Sequence, residues 1–214
     1  VDEFFRRIEG KTVTISYRWR FSTPWMIYFG FSGEWIWNIP IPLSYYLYYA
    51  TADRPSDYRE YVKMVKDPKS DPLLDYIVGE INEVAAKYGF TEREKIEFTI
   101  AFIQSLPYVP DDVSASADEY PKYPAETLIT NGGDCEDTSI LAAALLRKMG
   151  YKVALIFLPY EEHAAVGVAG PFSGSYYEVD GVKYFYLETT GEGFRIGQIP
   201  SDITDTRAYV YPVD

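Results

Sequence analysis

Between residues 71 and 190 the spacing of apolar residues changes once, at Gly150, and this change restricts the fold more than any other feature. Before Gly150 apolar residues recur at helical intervals, and after it they recur as strands do. The first helix has Asp71 as its expected N-cap, Pro72 at its first helical position and Gly89 past its last turn. Leu73, Leu74, Ile77, Ile81, Val84, Ala85 and Tyr88 make up its apolar stripe. A second helix opens at Thr91 with Glu94 completing a capping box, runs through EKIEFTIAFIQSL and stops at Pro107. A third spans Glu136 to Met149, with Ile140, Leu141, Ala144, Leu145 and Met149 inward. YKVALIFLP, HAAVGVAG and VKYFYLETT then read as strands. Helices followed by antiparallel strands predict an α+β domain.

Upstream, residues 1 to 50 read as aromatic strands. Val13, Ile15, Tyr17, Trp19 and Phe21 fall on one face at period two, and WMIYFGFSGEWIWNIPIP and LSYYLYYATADRP follow. DPKSDP, at 67–72, is the expected linker. The expected division is therefore a β-rich segment at 1–70 packing on a main domain at 71–214. The aromatic segment serves either as packing surface or as a platform for a sugar or peptide.

The net charge of −12 and the lack of a dense Lys/Arg run exclude a nucleic-acid binder. One cysteine excludes an intrachain disulfide and one histidine a His-rich metal site, so neither cofactor nor metal is expected. The acidic pairs Asp111, Asp112 and Asp118, Glu119 could hold a cation, but loop acids of this kind ordinarily face water. No apolar run approaches the roughly 20 residues of a spanning helix. The sequence opens Val-Asp, which suggests a trimmed start with room for an anchor before Val1. The location is left as cytoplasmic or membrane-anchored extracytoplasmic, and the oligomeric state is open.

The single thiol, Cys135, lies where Gly132 and Gly133 lead into the third helix. Unpaired N–H groups at a helix start favour thiolate, whereas the flanking Asp134 and Glu136 oppose it unless they point away. Asp137 is expected to satisfy free N–H groups of the first turn. The alternative for Cys135 is an inert core residue. A nucleophilic thiol needs an imidazole and a group to orient it. His163 opens a strand on the same face as Ala165 and Gly167, two small residues that leave room for a substrate. Tyr184, Tyr186 and Glu188 share one face of the next strand, so antiparallel pairing lets Glu188 reach His163.

GDCEDTSILAAALLRKMGYKVAL, then EEHAAVGV, then YFYLETT, resembles the transglutaminase-like superfamily of papain-type folds, in its archaeal and bacterial forms. The resemblance covers roughly residues 95 to 192. It implies a papain-like core and a catalytic triad of Cys135, His163 and Glu188, with glutamate where the family usually has aspartate. Asp180, in a hairpin turn, is the weaker choice for the third position. By the papain analogy Gln104 would offer its side-chain amide to an oxyanion hole beside the Cys135 N–H. Tyr123 would line the cleft or pack under the loop that precedes the nucleophile.

The implied chemistry is acyl transfer from a peptide, protein or amide substrate through a thioester. Hydrolysis makes the protein a cysteine peptidase or amidase, whereas transfer to an amine makes it a transglutaminase. The rival from another class is a binding module on an inactive fold.

Overall fold

In a computed structural model the described residues are 10–110 and 120–214. The acidic pairs at 111–112 and 118–119, considered above for a cation, lie outside them. The chain forms β1 (Thr12–Arg20), α1 (Pro24–Tyr28), β2 (Glu34–Pro42), α2 (Ser44–Tyr49), a 3₁₀ turn at Tyr58–Glu60 and α3 (Tyr61–Val65). There follow α4 (Asp71–Tyr88), α5 (Glu92–Gln104), α6 (Pro124–Ile129) and α7 (Cys135–Lys148). The sheet is built from β3 (Val153–Leu158), β4 (His163–Ala169), β5 (Tyr176–Val179), β6 (Val182–Leu187) and β7 (Tyr209–Val213). Its order is β5-β6-β4-β3-β7, every pair antiparallel. The helices α4, α5 and α7 share one apolar core with it, so the fold is α+β, as the change of period predicts.

The three long helices begin and end within about two residues of their sequence signals. Gly89 closes α4 in the left-handed region at φ 63°, and Thr91 with Glu94 forms the capping box of α5. Ser70, rather than Asp71, precedes α4. Within DPKSDP, Pro68, Lys69 and Pro72 are exposed, whereas Ser70 is anchored. Ser70 is fully buried, and its hydroxyl meets the Tyr49 hydroxyl at 2.8 Å and Asp67 Oδ2 at 2.8 Å. The edge strands β5 and β7 were not read from the sequence. One is four residues long, and the other carries Pro212, which an edge tolerates because no further strand needs its missing N–H.

The N-terminal strands pair as a hairpin with the expected faces, Tyr17 and Trp19 of β1 opposite Trp37 and Trp35 of β2. Two stretches read as strands are helical. PWMIY becomes α1 because the Thr23 hydroxyl accepts the Met26 N–H and Pro24 suits a first turn. SYYLYY becomes α2 because Tyr45 and Tyr49, four residues apart, are its buried residues. The β-propensity of tyrosine loses to that helical spacing. The hairpin also joins the main core. Tyr17 and Trp19 rings lie 5.2 Å from Phe102 of α5, and the Tyr17 hydroxyl donates to the Leu128 carbonyl of α6 at 2.7 Å.

Arg54 fastens this region to α6. Its Nη2 lies 2.8 Å from Glu126 Oε2 and also donates to the Tyr49 carbonyl, while its guanidinium stacks on the Tyr120 ring. Both partners are nearly buried, so removing the cation strands a carboxylate in low dielectric. Arg54→Ala is expected to lower stability by about 3–5 kcal/mol in urea denaturation. Arg20→Ala, which breaks the exposed Arg20–Glu34 pair, is expected to cost under about 1 kcal/mol. Equal losses would remove this assignment of the anchor.

Candidate active site

Three elements bring the sequence-predicted residues toward one place. Cys135 is the first residue of α7, His163 the first of β4, and Glu188 follows the last residue of β6. The entry to α7 depends on its glycines. Gly132 has φ 143°, and a Cβ there would stand 2.5 Å from the Pro107 carbonyl oxygen. A Cβ at Gly133 would collide with Asp137 Oδ2 at 2.3 Å. Asp134 and Asp137 form a reciprocal capping box, and Asp137 takes the buried Lys122 ammonium at 2.9 Å. Asp137 therefore does serve the first turn of the helix.

His163 Nε2–H donates to Glu188 Oε2 at 2.9 Å. That oxygen also accepts the Tyr186 hydroxyl at 3.1 Å. The other, Oε1, accepts the Thr189 N–H at 2.9 Å, the Thr190 N–H at 2.9 Å and the Thr190 hydroxyl at 2.8 Å. Burial of a carboxylate 2% exposed favours its neutral form. The His163 hydrogen bond and charge, with the Thr190 donors, outweigh this and hold Glu188 ionised, with a pKa of about 2. For the imidazole, burial disfavours the charged form, but Glu188, then Glu136 and Asp202, prevail and raise its pKa above the ordinary value.

The thiol behaves otherwise. Cys135 is 4% exposed, and its Sγ–H donates to Glu136 Oε2 at 2.9 Å. Burial first, then the charge and hydrogen bond of Glu136 and the charge of Asp134, push its pKa well up. The Ala164 N–H, one residue beyond His163, donates to the sulfur and pulls the other way. The helix N-terminus does not win here. Glu136 points at the thiol instead of away, and Asp134, which caps the helix, adds only its charge, so the resting group is a protonated thiol set against the start of β4.

Other predicted residues take different places. Gln104 donates both Nε2 hydrogens to carbonyls, Glu188 O at 2.9 Å and Phe194 O at 3.1 Å, and so has none left for an oxyanion. Tyr123 stacks on Tyr49 with centroids 5.0 Å apart and donates to the Asp53 carbonyl at 3.0 Å, which places it at the junction with the N-terminal region. Asp180 sits in the β5–β6 turn at φ 50°. The face of β4 that was to leave room beside His163 is filled, since Ala165 packs with Ile156, Leu158 and Tyr186 beneath Ile199 and Ile203. Tyr186, Thr189 and Thr190 were not singled out as Glu188 partners. The signal for Tyr186 was present, two residues from Glu188 on the same strand face. Among the described residues no group of three or more His, Cys, Asp or Glu could hold a metal ion, and no helix is long and apolar enough to cross a membrane.

A family profile described as a transglutaminase-like domain matches residues 77–188, more than half of the chain. The chain belongs to the transglutaminase-like family. No curated protein matches. Among solved structures, calcium-bound LapG of Legionella pneumophila is 19% identical, with 63% of this chain and 83% of that chain covered and a TM-score of 0.35. The EGTA-treated form is 19% identical over 63% and 81% of the two chains, with a TM-score of 0.36. Likenesses of this size carry no functional information.

The state of the thiol has a direct readout in a transglutaminase-like chain with one cysteine. Iodoacetamide is expected to alkylate native Cys135 slowly at neutral pH, with a rate that keeps rising beyond the ordinary thiol range. Glu136→Gln is expected to speed the reaction at pH 8 by about tenfold for each unit of pKa recovered. A fast wild-type reaction at pH 7 would contradict the Glu136 contact.

Proposed function

We propose that the protein is a thiol acyltransferase acting on peptide or amide substrates, with water as its usual acceptor. Cys135 is the nucleophile, His163 the proton carrier and Glu188 the acid that orients it. The observation that carries this reading is the 2.9 Å contact between His163 Nε2 and Glu188 Oε2 in a chain whose thiol rests against the next residue, Ala164. That contact occupies Nε2 and leaves Nδ1 to exchange protons with the substrate side.

The thiol proton swings from Glu136 to Nδ1 by rotation about the Cβ–Sγ bond. The sulfur then attacks the amide carbonyl carbon, and the C–O π pair moves to oxygen. Cys135 N–H, which begins a helix and has no intrahelical acceptor, faces that developing charge. Collapse of the adduct expels the amine, which takes the proton from Nδ1 and leaves a thioester. Water, deprotonated by Nδ1, releases the acid and restores the thiol. A primary amine at that last step yields a new amide and makes the protein a transglutaminase.

A second reading, a binding module on an inactive fold, draws on the buried, carboxylate-capped thiol. Turnover of fluorogenic peptide amides separates the two. Cys135→Ser and His163→Ala are expected to lose at least about 10³-fold in kcat/KM, and Glu188→Gln roughly 10²–10⁴-fold. The base works neutral, so a raised imidazole pKa sets the acid limb of kcat/KM above its ordinary position. The limb is expected to move to lower pH in Glu188→Gln. Added primary amine diverts product only if transfer competes with hydrolysis. Wild-type turnover equal to that of Cys135→Ser over a broad amide library would leave the binding reading.

A further inference from the structure

Gln104 is the last residue of α5 and is 4% exposed, which is unusual for a residue with two amide hydrogens and a carbonyl oxygen to satisfy. All three go to one short stretch of chain. Nε2 donates to the carbonyls of Glu188 and Phe194, at 2.9 and 3.1 Å, and Oε1 accepts the Gly193 N–H at 3.1 Å. These bonds close residues 188 to 194 into a loop seated on the end of α5. Inside the loop lie Thr189 and Thr190, whose N–H groups hold Glu188 Oε1.

Between this loop, α5 and β1 there is open space. It is a cavity of about 370 Å³, lined by Trp19, Phe21, Gln104, Gly193, Phe194 and Arg195 among others. Just past the loop, Arg195 pairs across this space with Glu97 of α5 at 3.0 Å. A second tie comes from the nucleophile helix, where the Thr189 hydroxyl meets the Thr138 hydroxyl at 2.9 Å and that of Ser139 at 3.2 Å. Thr189 therefore registers the loop against α7, and Gln104 registers it against α5.

We propose that Gln104 is a positioning residue that holds Glu188 in line with His163 by clamping residues 188–194. This rests on the catalytic reading above and replaces the oxyanion role that the papain analogy implied for Gln104. Only a primary amide of this length supplies two donors and one acceptor at once. Glutamate keeps the acceptor for Gly193 but sets carboxylate oxygens against two carbonyls. Methionine keeps the bulk and makes none of the bonds. When the loop loosens, the N–H groups of Thr189 and Thr190 leave Oε1, and the carboxylate swings on its own side-chain torsions. Glu136 and Asp202, the other acids acting on His163, are untouched by these changes.

The single histidine makes the test clean, because one imidazole signal reports the pair in NMR titration of the whole chain. In wild type the midpoint is expected above that of free imidazole, and in Glu188→Gln it should fall. Gln104→Met and Gln104→Glu should each lower it by about one unit, with a matching shift in the acid limb of kcat/KM. Ile81→Val, a distant core change, reports general loosening and should leave the midpoint in place. If Gln104→Met does not fold, Gln104→Glu carries the test. A folded Gln104 variant with the wild-type midpoint, when Glu188→Gln has lowered it, overturns the positioning role alone. An unchanged midpoint in Glu188→Gln overturns the His163–Glu188 pairing and this role with it. A lowered midpoint in the Gln104 variants of a protein that turns over no amide supports the clamp and removes the catalytic reading.

Discussion

The carboxylate of Glu188 is a charge that the fold must keep ionised almost out of contact with water. An unpaired carboxylate so buried would take up a proton, since desolvation penalises the charged form by several kcal/mol. Here both oxygens are filled by donors from three directions, the imidazole, the Tyr186 hydroxyl and the chain just past the strand. Much of the surrounding architecture follows from that need. Strand β6 has to end at Leu187 so that the next N–H groups can turn back on the side chain. Strand β4 has to begin at His163, and α5 and α7 both have to reach the loop after β6. The glutamate side chain fits because the donors are arranged around it.

One acid, Glu136, both favours a protonated imidazole and disfavours a thiolate. Glu136 faces the sulfur and also acts on His163, raising both pKa values. At rest the proton therefore stays on sulfur, while Glu188 favours the charged imidazole. The capping box of Asp134 and Asp137, with Lys122 buried against it, uses the charge-binding capacity of the helix start for its own carboxylates. A thiol at a helix N-terminus is thus not activated by position alone. The low dielectric and the direction of the next side chain decide the outcome.

The aromatic N-terminal region is part of the same body as the site. Tyr17 and Trp19 pack on α5, whose last residue is Gln104, and Arg54 ties the chain after α2 to α6, which leads into the glycines before Cys135. Contacts in the hairpin therefore bear on the two helices that hold the ends of the site. The cavity of about 370 Å³ lies along this same seam, between β1, α5 and the loop after β6.

The sequence by itself determined the three long helices and the central strands β3, β4 and β6 in their order, the capping box of α5 and the glycine that closes α4, the inward faces of β1 and α7, and the family of the chain. These are local properties, written in spacing, in Gly and Pro placement and in short motifs that need no knowledge of distant neighbours. Only the tertiary structure decided that SYYLYY is a helix, that Ser70 of DPKSDP is buried, that the face of β4 beside His163 is filled, and that Glu136 turns to the sulfur. It also gave Gln104 to the loop it clamps and Tyr123 to the N-terminal seam. Each of these depends on which groups meet across many residues of chain. A side chain with several polar valences shows in the sequence what it can bond to, and only the packing settles which partner it meets.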